Sequence, residues 1–189
     1  VNADLPAILA AWAAEHSAAL IQNSTEYVFD CQSDGSYLET DKMHPLDIDG
    51  ESKLAGDRAI LESGTAVLIL RNAWLYGATG RNFLTAILRQ AEEQDALCVA
   101  GDQFGVQTST TVLAETTEEI LQNLWRDVEA GLAARAELLN VTRTGAVSRF
   151  EFAEAICTET QRLGHTLAVR RITPISTDDL QAAPRPWNS

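Results

Sequence analysis

At 189 residues the chain fits one domain, or one domain and part of another. With 46% hydrophobic and 22% charged residues it can fill a core, which excludes a disordered tail. Its formal net charge of −13 excludes non-specific nucleic-acid binding, which needs a basic surface.

The first element predicted is a helix over 4–17, with Asp4 as its cap, Pro6 in its first turn and Ile8, Leu9 and Trp12 on its apolar face. Ala19–Gln22 follows as a short buried strand, and 30–47, rich in Asp, Ser, Gly and Pro, as a loop. A helix is expected from about Gly50 to Ser63, ended by Gly64, and then the clearest buried strand, Ala66–Leu70. Asn82–Gln94 reads as helix, Ala96–Ala100 as strand, Gly101–Thr108 as loop and Thr110–Ala130 as a long helix. Leu138–Val141 is the next strand. Ser148–Leu163 is a helix with Ser148 and Glu151 as a capping box and Gly164 after its end. A last strand is expected at Thr166–Ile172, before an irregular tail from Pro174 to Ser189.

Strands alternating with helices predict an α/β fold with a largely parallel sheet. A doubly wound domain normally opens on a strand, whereas this chain opens on a helix and on Val1, so an incomplete chain is expected. Apolar runs such as Ala66–Leu70 are too short to span a bilayer, and no secretory signal is recognisable, so the expected location is cytoplasmic. Cys31, Cys98 and Cys157 show neither a disulfide framework nor metal-ligand spacing; no metal is expected, and Cys98 and Cys157 read as small core residues. With two lysines against twelve arginines, an anionic ligand would be met by arginines such as Arg71, Arg81 or Arg185.

Three segments carry the chemistry. Ser24-Thr25-Glu26-Tyr27-Val28-Phe29-Asp30 follows a buried strand, where ligands of open α/β sheets bind, although Ser and Thr there also simply close turns. Asp49 and Lys53, in 45–57, are four apart and share a helix face; taken alone, Lys53 is a solvated lysine. Leu70–Gly77, with Arg81-Asn82-Phe83, again follows a strand, and its Trp74 and Tyr76 can floor a pocket or fill a core.

In this order and spacing, with Ser52–Gly56, Asp102–Thr108 and Arg185–Ser189, the segments resemble the dTDP-4-dehydrorhamnose reductase family. That family comprises extended short-chain dehydrogenase/reductases with an RmlD-like substrate-binding domain. The resemblance spans essentially the whole chain. It implies an incomplete Rossmann-like, doubly wound parallel sheet with a smaller C-terminal substrate-binding lobe. Residues 1–109 would form the C-terminal part of the Rossmann-like domain with the catalytic segments, and 110–189 mainly the substrate lobe. The implied reaction is reduction by NADPH of the 4-keto group of dTDP-4-dehydrorhamnose to dTDP-rhamnose. A nucleotide sugar is the implied partner, and a homodimer is an assembly the resemblance allows.

Carried over by position, Thr25 looks like the hydroxyl that holds the substrate carbonyl. Lys53 looks like the lysine that binds the nicotinamide ribose and tunes the catalytic tyrosine. Glu26, Trp74, Asn82 and Arg185 look like substrate neighbours. At the tyrosine position stands Asp49, and a carboxylate beside a lysine is ionised and has no proton to give. Arg149 stands where the family has a tryptophan. No glycine precedes Gly35, so the Gly-x-x-Gly dinucleotide loop is not among these residues, and NADPH is not expected to be bound by them alone. Whether the chain is an enzyme is left open at this point. The alternative is a catalytically inactive binding module of the same family, similar to the regulatory subunit of methionine adenosyltransferase.

Overall fold

The computed structural model describes residues 1–30, 36–129 and 136–180, with the side chains of all of these except 124–129, 136 and 180. In chain order the elements are α1 (Asp4–Glu15), β1 (Ala19–Thr25), a 3-10 turn (Glu26–Val28), α2 (Ile48–Glu62), β2 (Ala66–Asn72) and β3 (Leu75–Tyr76). Then come α3 (Phe83–Glu93), β4 (Ala96–Ala100), β5 (Phe104–Gly105), β6 (Thr108–Ser109) and α4 (Thr110–Glu129). The remainder is β7 (Ala136–Val141), β8 (Val147–Ser148), α5 (Arg149–Arg162), β9 (Arg171–Ile175) and a 3-10 turn (Thr177–Leu180). The fold is α/β with parallel strand pairing, as expected.

The chain forms two compact units, one of Val1–Ala73 with Thr111–Thr142, the other of Trp74–Thr110 with Arg143–Ser189. They interleave in sequence, where the sequence expectation placed one boundary at 109/110. The reason is topological: β7 returns to pair with β2 after an intervening excursion of the chain.

The first unit is built on the parallel sheet β1-β2-β7. β2 is its central strand, buried on both faces, which is why its sequence is a continuous apolar run and not an alternation. One face packs Val67 and Ile69 with Ala10 and Ile60; the other packs Leu68, Leu70 and Val141 with Leu113, Ile120 and Leu139. The cap expected at Asp4 is not made: Ala3 is the N-cap with no side-chain bond, and Asp4 lies in the first turn. Nor does α1 bury its large residues. Pro6, Ala10 and Ala13 face inward, while Ile8, Leu9 and Trp12 are exposed. Small residues are buried because α1 and α2 approach closely: a Cβ on Gly56 would lie 2.4 Å from the Asn2 carbonyl oxygen.

In the second unit β4 pairs in parallel with β9, and α3 and α5 pack on it through Ile87, Ala91, Leu97, Val99, Ala153, Ile156, Cys157 and Val169. The capping box of Ser148 and Glu151 forms as expected, and Gly164 takes a φ of 90° after α5. The last strand is displaced from its expected place at Thr166–Ile172. Residues 168–170 instead donate backbone hydrogen bonds to Ala91 and Asp95, and the ladder runs over Arg171–Ile175 through Pro174, which extends β9 into the tail expected to be irregular. The expected loop over Gly101–Thr108 contains β5 and the start of β6. Cys98 is exposed, contrary to expectation, because β4 alternates and directs Leu97 and Val99 into the core.

Candidate functional site

β1 and β2 run parallel with Ser24 opposite Arg71 and Thr25 opposite Asn72, so both strands end at the same edge of the sheet. This is the edge where open α/β sheets bind ligands. Thr25 leaves the strand as the cap of the 3-10 turn, its Oγ1 accepting a hydrogen bond from the Tyr27 amide at 3.3 Å. A hydroxyl that accepts one bond still has its proton to donate. Glu26 opens that turn and is half-buried.

The turn is pressed against the start of α2. Asp47 caps the helix by accepting from the Gly50 amide at 2.7 Å. Position 50 must be glycine, since a Cβ there would meet the Tyr27 carbonyl oxygen at 2.2 Å. The contact brings the first turn of α2 against the turn that follows Thr25. Lys53, one helical turn after Asp49, is half-buried, not the solvated lysine of an isolated reading.

Asp49 is exposed, and its bonding departs from the sequence expectation. It makes no ion pair with Lys53; Asn2 donates from Nδ2 to Asp49 Oδ1 and to Ser52 Oγ, each at 3.1 Å. Asp49 thus fastens the segment before α1 to α2.

Beneath this edge lies a charged group that sequence reasoning missed. Ser24 donates its hydroxyl to Asp57 Oδ2 at 2.7 Å, and Arg71 Nε stands 3.6 Å from the same oxygen, with both ionic side chains 1% exposed. Arg71 also points Nη2 at Met43 Sδ (2.8 Å) and lies over the Phe29 ring. Burial pushes the Asp57 carboxyl above its ordinary range, against the pull of Ser24 and Arg71, and pushes the Arg71 guanidinium down. Buried and paired, Arg71 is not a residue to meet an anionic ligand, as the sequence had suggested. The partners lie 14 to 47 residues apart, so no local spacing announces them; the one available signal was Asp57 falling four residues after Lys53.

Trp74 and Asn82 belong to the second unit. Trp74 adopts a φ of +28°, a conformation that bulky side chains rarely take. Its ring carries the Arg149 guanidinium at 4.1 Å from the centroid, which also lies over Phe83 at 5.2 Å. Arg149 is held by Nε donation to Gln103 Oε1 at 2.7 Å. The arginine standing where a tryptophan was expected thus stacks on Trp74 as a cation.

Asn82 caps α3, accepting from the Thr85 amide and donating from Nδ2 to the carbonyls of Gly77 and Thr79. Arg185 lies outside the described residues. Among the described residues no three His, Cys, Asp or Glu side chains are grouped to hold a metal ion, and no helix is long and apolar enough to cross a membrane.

NADPH, the cofactor the resemblance implies, finds only part of a fit here. Lys53 suits a ribose hydroxyl, and among the described residues no glycine-rich turn leads into a helix to cradle a pyrophosphate.

Comparison with known proteins agrees with this layout. The chain is 35% identical over 190 residues to the dTDP-4-dehydrorhamnose reductase of Shigella flexneri, covering all of this chain and 62% of that protein. To the corresponding reductase of Burkholderia thailandensis it is 35% identical over 192 residues, covering 64% of it. The chain therefore spans a little under two thirds of the length of the curated relatives it matches. The crystal structure of dTDP-4-dehydrorhamnose reductase from Bacillus anthracis in complex with NADP superimposes with a TM-score of 0.87 at 28% identity, over all of this chain and 62% of that one. The model of the RmlD substrate binding domain matches residues 1–189, and it is to this family that the chain belongs.

Proposed function

We propose that the protein carrying these residues is an NADPH-dependent reductase of a nucleotide sugar, converting dTDP-4-dehydrorhamnose to dTDP-rhamnose in the cytoplasm. What carries the reading is that Thr25 stands at the carboxyl end of β1 while the turn after it packs, at Tyr27, on Gly50 in the first turn of α2, the helix that bears Lys53 one turn further on. NADPH, when bound, supplies the hydride to the 4-keto carbon. Thr25 would donate a hydrogen bond to the carbonyl oxygen and fix its orientation, and Lys53 would hold the nicotinamide ribose through its ammonium. The proton for the nascent alkoxide would come from water, since Asp49 stands where a tyrosine would give it. Trp74, Asn82, Glu26 and Arg185 are assigned to the substrate by their positions in the family pattern. The net charge of −13 supports a small-molecule partner over nucleic acid.

One observation favours a second reading, a binding module of the same family without catalysis. Asp49 occupies the position of the proton-donating tyrosine and is bonded to Asn2, a structural use. Steady-state NADPH oxidation by the full-length protein and its Asp49→Tyr variant separates the two. The reductase reading expects slow turnover with Asp49 and a gain of about 10²–10⁴-fold with tyrosine, the usual contribution of a general acid. Absence of turnover in both, with the nucleotide sugar still bound, decides for the binding module.

A further inference from the structure

Ser24, Asp57 and Arg71 are 3%, 1% and 1% exposed, too deep to meet a ligand. Stability alone explains them poorly, because a buried ion pair is often no better than apolar side chains of the same bulk. Their distinction is location. Ser24 immediately precedes Thr25 in β1, and Arg71 stands opposite Ser24 in the register of β2. Asp57 follows Lys53 by one turn of α2, and its Oδ2 takes the Ser24 hydroxyl at 2.7 Å and faces Arg71 Nε at 3.6 Å. A single carboxylate oxygen thus joins the ends of two neighbouring strands to the helix that bears Lys53. Apolar contact is non-directional and lets packed elements slide, whereas the Ser24–Asp57 hydrogen bond fixes distance and angle in a low-dielectric interior, and the Arg71 guanidinium holds the same oxygen by charge at 3.6 Å.

We propose that Asp57 is a positioning residue: through Ser24 and Arg71 it sets the Thr25 hydroxyl and the Lys53 ammonium in one fixed relation. The roles of Thr25 and Lys53 rest on the reductase reading above; the positioning itself does not.

Two variants test it. Ser24→Ala cuts the link to β1 and keeps the Asp57–Arg71 pair. Asp57→Leu with Arg71→Met replaces the pair by apolar bulk, the exchange that buried ion pairs often tolerate in stability. In the full-length protein kcat should fall on the order of 10²-fold in the double variant, the scale of a small misplacement at a reacting centre. KM should change less than about threefold and the melting temperature should be kept. In the same full-length protein, relaxation of a ¹³C-labelled Thr25 methyl should show a lowered order parameter in both variants, with Thr160 in α5 unchanged as the control. Unchanged order at Thr25 in both variants overturns the proposal, as does a double variant that recovers kcat together with stability. A wild-type protein without turnover would refute the reductase reading instead, and the methyl measurement would still decide the role of Asp57.

Discussion

Two cysteines show how strongly the reactivity of a residue depends on where its side chain is delivered. Cys98 lies on the outward side of β4, and Cys157 lies in the core that α5 shares with Ile87 and Val99. Burial pushes the Cys157 thiol above its ordinary range, and the thiolate is the reactive form. A small disulfide reagent at pH 8 should therefore show a fast phase whose amplitude falls in Cys98→Ser and is kept in Cys157→Ser; Cys157 should react only with unfolding. A fast phase diminished by Cys157→Ser would show that α5 opens readily. Sequence alone assigned both thiols to the core, because hydrophobic neighbours in a strand do not reveal which face a given residue takes. Local chemistry is more legible. Ser148 and Glu151 are three residues apart and cap their own helix, so the pattern is complete within the sequence. The hydrogen bond of Ser24 and the ion pair of Arg71 with Asp57 join three separate elements, and only the fold brings them together.

At the scale of elements, the turn after β9 is fastened by a carboxylate. Asp102 accepts from the Thr177 hydroxyl at 2.6 Å, from the Thr177 amide at 2.8 and 3.1 Å and from the Ser176 hydroxyl at 3.1 Å. The Thr177 hydroxyl first, and then its amide, hold the Asp102 carboxyl below its ordinary range. A carboxyl lowered in the folded state stabilises it above the unfolded value of about 3.9, and that contribution is lost as pH falls through the folded value. The Thr177 amide resonance should accordingly move on acidification below pH 4, and melts should lose stability over the same window. Asp102→Asn should flatten that pH dependence; an unaltered profile in Asp102→Asn would assign the acid sensitivity to other carboxylates. Elements with a clear period or a strong terminator, such as β2, α3 and α5, were readable in sequence. The short pairings were not, since β3, β5, β6 and β8 are two residues each and carry no period, and β9 runs through a proline that argues against a strand except at an edge.

For the molecule as a whole, the consequential surface is that of α1. Leu5, Ile8, Leu9 and Trp12 recur at helical spacing and are 49%, 64%, 42% and 54% exposed, with Ile21 of β1 at 39%. A contiguous apolar stripe of this kind drives association. The 189-residue chain should self-associate at micromolar concentration in sedimentation and bind a hydrophobic dye, and Ile8→Lys with Trp12→Lys should reduce both. A monodisperse wild type that ignores the dye would contradict this. The sequence marks Ile8, Leu9 and Trp12 as the apolar residues of this helix, and an incomplete sheet leads to the expectation of exposed apolar surface around Trp12 and Ala19–Ile21, as found; the close approach of α1 to α2 buries the small residues of the helix instead.

The return of β7 to β2 also dictates the order in which the protein can be made. On the ribosome, Ala66–Asn72 emerges long before its partner Ala136–Val141, and the Asn140 amide meets Glu39 across 101 residues of sequence. Ala96–Ala100 likewise waits for Arg171–Ile175. Each unit therefore begins before the other is finished, and a break at any single peptide bond from 74 to 142 leaves neither half with a complete unit. Only a cut outside that stretch, at the nearest after Ala73 or after Thr142, spares one unit whole, and translation must carry both partly built units at once, with loop closure late and non-local.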